Sequence, residues 1–109
     1  MISITVVTAL ALAAGAPSSA PSQQTRKAYG ACLQKVIKEK TADKLSSDAF
    51  AAAVKAGCAT QEAAFVKSLV DYDVATGSKR AEAEEGARLQ VEDYMINASD
   101  TYATYVTPK

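Results

Sequence analysis

The sequence contains no histidine and no tryptophan, only two cysteines, and no excess of charge of either sign. Its 109 residues include 12 Lys+Arg and 12 Asp+Glu. The missing histidine excludes the Ser-His and Cys-His nucleophile pairs and the commonest metal ligand. Nucleic-acid binding depends on clustered cations, so a net charge of zero predicts no nucleic-acid partner. The length predicts one small domain. The composition excludes most enzyme mechanisms that can be recognised from a sequence.

The first 25 residues carry no charged side chain, and the segment from Ile2 to Ala14 is predominantly apolar. Small and turn-forming residues follow as far as Pro21, which is the layout of a secretory signal peptide. From Ile2 to Ala16 a helix spans about 22 Å, which is too short for a bilayer core of about 30 Å. We predict a signal peptide over residues 1–20, with cleavage somewhere within 14–22. The mature domain, residues 21–109, is then periplasmic or extracellular and has no transmembrane anchor.

Cys32 and Cys58 are the only thiols, and both fall in the predicted mature domain. In an oxidising compartment, an isolated pair predicts one structural disulfide. The close Cys-x-x-Cys spacing of redox-active pairs is absent. Two thiols without histidine also supply too few ligands for zinc, so we predict no metal site and no cofactor.

Helical periodicity begins in the segment from Ser22 to Lys40. The larger apolar residues there recur at the spacing of one helical stripe: Tyr29, Cys32, Leu33, Val36 and Ile37. After a break at residues 41–44, Ser46 is a candidate N-cap. A second stripe follows it: Phe50, Ala53, Val54, Gly57 and Cys58. Because each cysteine lies on the apolar stripe of its own helix, the two helices fit an antiparallel hairpin closed by the disulfide.

Two further helices are predicted after Cys58. Thr60 is the candidate cap of a helix over about 61–76, and Gly77 suits its end. Ser78 is the candidate cap of a last helix over about 79–105. No strand periodicity is present, and 17 alanines from Pro21 onward favour helix. The predicted fold is therefore all-α: a small four-helix domain, formed by a helical hairpin plus two helices and stapled by a disulfide, after a cleaved signal peptide.

The last predicted helix carries the most distinctive apolar pattern of the chain: Tyr94, Met95, Tyr102 and Tyr105. If exposed, these residues form a binding stripe for a peptide or apolar ligand; if buried, they form the edge of the core. Glu82 and Glu85 share a helix face and are the candidate carboxylate pair for acid–base chemistry. No nucleophile accompanies them, so we predict no catalytic residue and assign them to the positive end of the helix dipole.

Charge is unevenly distributed along the chain. Residues 26–44 carry six cations and two anions, whereas residues 78–109 carry four cations and six anions. The basic segment either contacts an anionic envelope surface or is neutralised by acidic segments of the same fold.

The leading functional hypothesis is a small exported helical protein that binds a protein or envelope component without catalysis. A homodimer through leftover apolar surface is an open alternative. A second hypothesis is an acid- or stress-responsive periplasmic chaperone. The chain is similar to such chaperones in size, predicted export and cysteine number, although it lacks tryptophan and its cysteine spacing is shorter. A carboxylate-dependent enzyme is the third hypothesis.

Overall fold

A computed structural model describes residues 17–107. It consists of four α-helices: α1 (Ala20–Lys40), α2 (Ser47–Gly57), α3 (Ala59–Ala75) and α4 (Arg80–Val106), with a 3-10 turn (Thr41–Asp43) between α1 and α2. Residues 17–107 contain no strand, so the prediction of an all-α fold is confirmed. The predicted signal peptide lies for the most part outside the described residues.

The connection from α1 to α2 combines a tight turn with a side-chain cap. Lys44 follows the 3-10 turn and adopts a left-handed conformation with φ of 48°, which reverses the chain. Ser46 is the N-cap of α2, and its Oγ accepts a hydrogen bond from the Ala49 N–H at 3.2 Å. The predicted cap is therefore confirmed.

The predicted cap at Thr60 is wrong, because α2 and α3 share a single junction residue. Cys58 donates its N–H to the Val54 carbonyl at 2.8 Å and accepts from the Glu62 N–H at 2.9 Å. Its backbone thus ends one helix and begins the next. Thr60 therefore lies inside the first turn of α3, where it has no capping position to fill.

The end of α3 also explains why the predicted cap at Ser78 is wrong. Gly77 has a φ of 112° and donates its N–H to Val74, while Ser78 donates its own to Asp73. This pair of bonds is a Schellman motif, which requires the left-handed residue that glycine provides. Ser78 is consequently part of the end of α3, and Lys79 takes the N-cap position of α4 without a side-chain hydrogen bond.

The core lies where α1, α3 and α4 meet, and the short α2 closes one end. The most extensive helix contacts are those of α3 with α1 and with α4. Fourteen buried residues form one cluster: Tyr29, Leu33, Val36, Ile37, Phe50, Val54, Cys58, Phe65, Leu69, Val70, Ala83, Ala87, Ala98 and Tyr102. The small alanines of α4 let its backbone approach its neighbours closely. Among residues 17–107, no helix is long and apolar enough to cross a membrane.

Tyr102 of α4 fixes the corner between α1 and α2. Its hydroxyl donates to the Lys40 carbonyl at 2.5 Å and accepts from the Leu45 N–H at 2.9 Å. Its ring stacks on Phe50 with centroids 4.2 Å apart and an angle of 2° between the planes. One side chain therefore satisfies two backbone groups of the corner and anchors α2 to α4.

The disulfide between Cys32 and Cys58 joins α1 to the α2–α3 junction, with the two Cα atoms 5.9 Å apart. This confirms the predicted pair. Cys58 is 1% exposed, so the bridge also contributes to the core.

We expect reduction of the disulfide to lower the melting temperature by more than about 10 °C. Closing a loop of 26 residues restricts the unfolded chain by about 3.5 kcal/mol in the chain-entropy model. The measurement is thermal unfolding followed by circular dichroism, with and without reductant. A Cys32→Ala/Cys58→Ala control should melt at a low temperature that reductant does not change. A wild-type melting curve that reductant leaves unchanged contradicts this role of the bridge.

Candidate binding surface

The four residues of the predicted binding stripe do not form one surface. Tyr102 is 2% exposed and belongs to the core, whereas Tyr105 is 63% exposed. Tyr94 and Met95 are half-buried and pack against the core. For Tyr102 the buried alternative therefore holds, because its hydroxyl and ring both make contacts inside the fold.

Tyr94 instead completes an aromatic cluster between α1, α3 and α4. Its ring lies 5.7 Å from that of Tyr29 and 5.5 Å from that of Phe65, edge to face with the latter. Tyr29 and Phe65 are themselves stacked, with centroids 5.7 Å apart. The Arg26 guanidinium lies 5.5 Å from the Phe65 ring centroid. Such pairs stabilise a core beyond the area that they bury.

Tyr29 is the only buried group of this cluster with a resolved shift of its pKa. Burial raises the pKa of its phenol from 10.0 to about 12, with the nearby Glu62 carboxylate as the second cause. The Tyr29 hydroxyl donates to Glu62 Oε1 at 3.5 Å, a long hydrogen bond. Both causes favour the neutral phenol, so Tyr29 is a structural residue at ordinary pH.

Two exposed aliphatic residues lie on the side of α4 that faces away from the core. Leu89 is 48% and Ile96 52% exposed, and their spacing of seven residues is nearly two helical turns, about 10.5 Å. Five exposed carboxylates surround them: Glu82, Glu85, Glu92, Asp93 and Asp100. We name these seven residues the α4 outer surface. Exposed leucine and isoleucine inside an acidic face form an amphipathic surface that no other helix within residues 17–107 covers.

The periodicity of α4 did not reveal this surface, because apolar residues occur all round the helix. The tyrosines indicate the apolar stripe that faces the core. The second apolar stripe, on the solvent-facing side of α4, has fewer large residues and is therefore harder to recognise. The available signal was the pair Leu89 and Ile96 at i and i+7, with a carboxylate three or four residues away on either side.

Arg88 holds two carboxylates of the α4 outer surface in place. It forms a fork with Glu85, with contacts of 2.6 and 3.0 Å, and donates to Glu92 at 3.0 Å. The hydrogen bonds and positive charge of Arg88 hold the pKa of Glu85 below its usual range. A general acid needs a raised pKa, so this arrangement favours charge presentation over acid–base chemistry.

The exposed side of α1 carries the opposite charge. We name six exposed residues of this side the α1 outer surface: Gln24, Lys27, Ala28, Ala31, Lys35 and Lys38. Glu39, also exposed, lies beside them and pairs with Lys35 at 3.8 Å. Five ion pairs are present within residues 17–107, and each joins residues three or four positions apart. None of them joins two α-helices. Within residues 17–107, no ion pair therefore joins the basic segment to an acidic residue of another α-helix.

Nothing in the described part of the chain resembles a metal site. No group of three or more Cys, Asp or Glu side chains is arranged to hold a metal ion within residues 17–107, and both cysteines are in the disulfide. A groove of about 430 Å³ lies beside the disulfide between Ala28, Val36 and Gly57. It is open to solvent, and Lys35, Glu39 and Gln61 also line it.

Comparisons with known proteins found no relative. No family model, no curated protein and no solved structure matches this chain. The candidate surface is therefore identified only by the positions, exposure and charge of its own residues.

We expect the fold to lose stability between about pH 10 and about pH 12. The Tyr29 phenol ionises at 10.0 in an exposed setting and at about 12 in the fold. Its contribution is thus complete below pH 10 and is lost as the pH rises towards 12, by at most about 3 kcal/mol. Chemical denaturation at several alkaline pH values should show that the free energy of unfolding falls less steeply with pH in Tyr29→Phe than in wild type. Tyr105→Phe is the exposed control, and equal slopes in wild type and Tyr29→Phe contradict the prediction.

Proposed function

We propose that the protein is an exported, non-catalytic binding module whose α4 outer surface docks a cationic amphipathic helix of a partner protein. The observation that carries the proposal is the exposure of Leu89 and Ile96 inside an acidic face. A partner helix with apolar residues at i and i+7 covers both side chains at the same depth. Lysines or arginines beside those residues meet the carboxylates.

Apolar and charged residues contribute to such an interface in different ways. Burial of Leu89 and Ile96 supplies affinity, since each large aliphatic side chain contributes about 1.5–3 kcal/mol when fully buried. Exposed carboxylates add little affinity, but they select a cationic partner and speed its association. The fork between Arg88 and Glu85 reduces the entropy lost when the carboxylate is fixed in a complex.

Export is part of the same proposal. It rests on the uncharged, apolar segment at residues 1–20 and is compatible with the disulfide, which persists in oxidising compartments. The partner is then a periplasmic, extracellular or envelope protein.

We do not advance the acid-responsive chaperone, because no specific contact supports it. The ion pairs that acid would break are exposed and lie within one helix or its adjoining turn. Such pairs contribute little to stability. Within the part of the chain that the structure describes, protonation of the carboxylates in these pairs therefore gives no local trigger for opening the helical bundle.

The proposal is tested with two synthetic helical peptides of leucine heptads, one with lysine and one with glutamate at the flanking positions. We expect the lysine peptide to bind and the glutamate peptide not to bind. The NMR shifts should be confined to the α4 outer surface. Leu89→Gln/Ile96→Gln should weaken binding at least tenfold, as measured by calorimetry, because it removes the apolar contact and keeps every carboxylate.

Tyr105→Gln is the matched control, because Tyr105 is also an exposed apolar residue of α4 but lies on the other side of the helix. It should leave the affinity unchanged, and added salt should weaken binding of the lysine peptide. Equal affinity in wild type and the Leu89→Gln/Ile96→Gln variant, or shifts spread over α1 and α3, would overturn the proposal.

A further inference from the structure

We infer that the occupant of the α4 outer surface is the α1 outer surface of a second copy of this chain. The inference rests on the proposed function and names the partner of the same site. The two surfaces have opposite charge, both are exposed, and neither forms an ion pair with another α-helix of its own chain within residues 17–107. A second copy of the chain supplies the complementary surface to each.

An antiparallel register gives the two surfaces matching charge and volume. With Ala31 opposite Leu89, each lysine of the α1 outer surface lies within one helical turn, about 5.4 Å, of a carboxylate. The resulting pairs are Lys27 with Glu92, Lys35 with Glu82, and Lys38 with Glu85. The flexible lysine side chain spans this offset.

Side-chain size favours the same register. Ala28 and Ala31 are small, so the backbone of α1 can approach Leu89 closely. Ile96 then faces Gln24 and the stem of Lys27, whose methylenes cover apolar surface while the ammonium group stays in water. The lysines on either side exclude water from the two aliphatic residues.

Repulsion between like charges opposes a contact in which the same surface of each copy meets. Two α4 outer surfaces facing each other bring together Glu82, Glu85, Glu92, Asp93 and Asp100 of both copies. Two α1 outer surfaces do the same with three lysines each. Like charges across an interface oppose association, so the contact must join different faces of the two copies. Such a heterologous contact joins copies into a closed ring or an open row, and its extent depends on concentration and salt.

The experiment is a charge exchange between the two surfaces, followed by sedimentation of the purified protein over a range of concentrations. One variant is Lys27→Glu/Lys38→Glu and the other is Glu85→Lys/Glu92→Lys. We expect the mean mass of the wild type to rise with concentration and to fall with added salt. Each variant alone should remain monomeric, because two of the three lysine–carboxylate pairs of the contact are then replaced by pairs of like charge. An equimolar mixture of the two variants should associate again, because every contact between unlike chains pairs opposite charges.

Lys67→Glu/Lys79→Glu is the control with the same change in charge as Lys27→Glu/Lys38→Glu, at exposed sites outside both surfaces, and it should associate like wild type. Circular dichroism checks that every variant keeps its helix content. Association that persists in both charge variants, or a mixture that fails to restore it, overturns the inference. A wild type that remains monomeric while it binds the lysine peptide at α4 also overturns it, but leaves the proposed function standing.

Discussion

The position of Tyr102 constrains the rest of the fold. Its hydroxyl joins the last carbonyl of α1 to the backbone N–H of Leu45, and its ring stacks on Phe50 of α2. A single residue of α4 thereby holds the end of one helix and the start of the next. Buried backbone groups require partners, so rotation of α4 about its own axis would leave both groups of the corner unpaired.

This fixed rotation determines which residues of α4 remain available to a partner. Tyr94 and the alanines at 83, 87 and 98 face the core with Tyr102, so Leu89 and Ile96 must face solvent. The same constraint places the acidic side chains of α4 around them. On α1, burial of Tyr29 and Leu33 turns the lysines outward. Core packing thus separates the two charges onto different faces, and the proposed contacts follow from that separation.

Much of the fold could be predicted from the sequence, because its signals are local. The Ser46 cap, the Gly77 helix end and the pairing of Cys32 with Cys58 each depend on a few neighbouring residues. The caps at Thr60 and Ser78 failed because a backbone junction and a Schellman motif already used those positions. The candidate surface was missed for a different reason: a tyrosine indicates burial and exposure equally well, and only the joint between helices at Tyr102 decides between them.

The most direct measurement is hydroxyl-radical footprinting of the dilute protein, with oxidation of α4 side chains quantified by mass spectrometry. The orientation of α4 that Tyr102 fixes predicts strong oxidation of Leu89, Ile96 and Tyr105, which are about half exposed or more. It predicts weak oxidation of Tyr102, which is 2% exposed. Oxidation of Tyr102 to the same extent as Tyr105, together with protection of Leu89 and Ile96 at dilution, would contradict the arrangement of α4 on which the proposals depend.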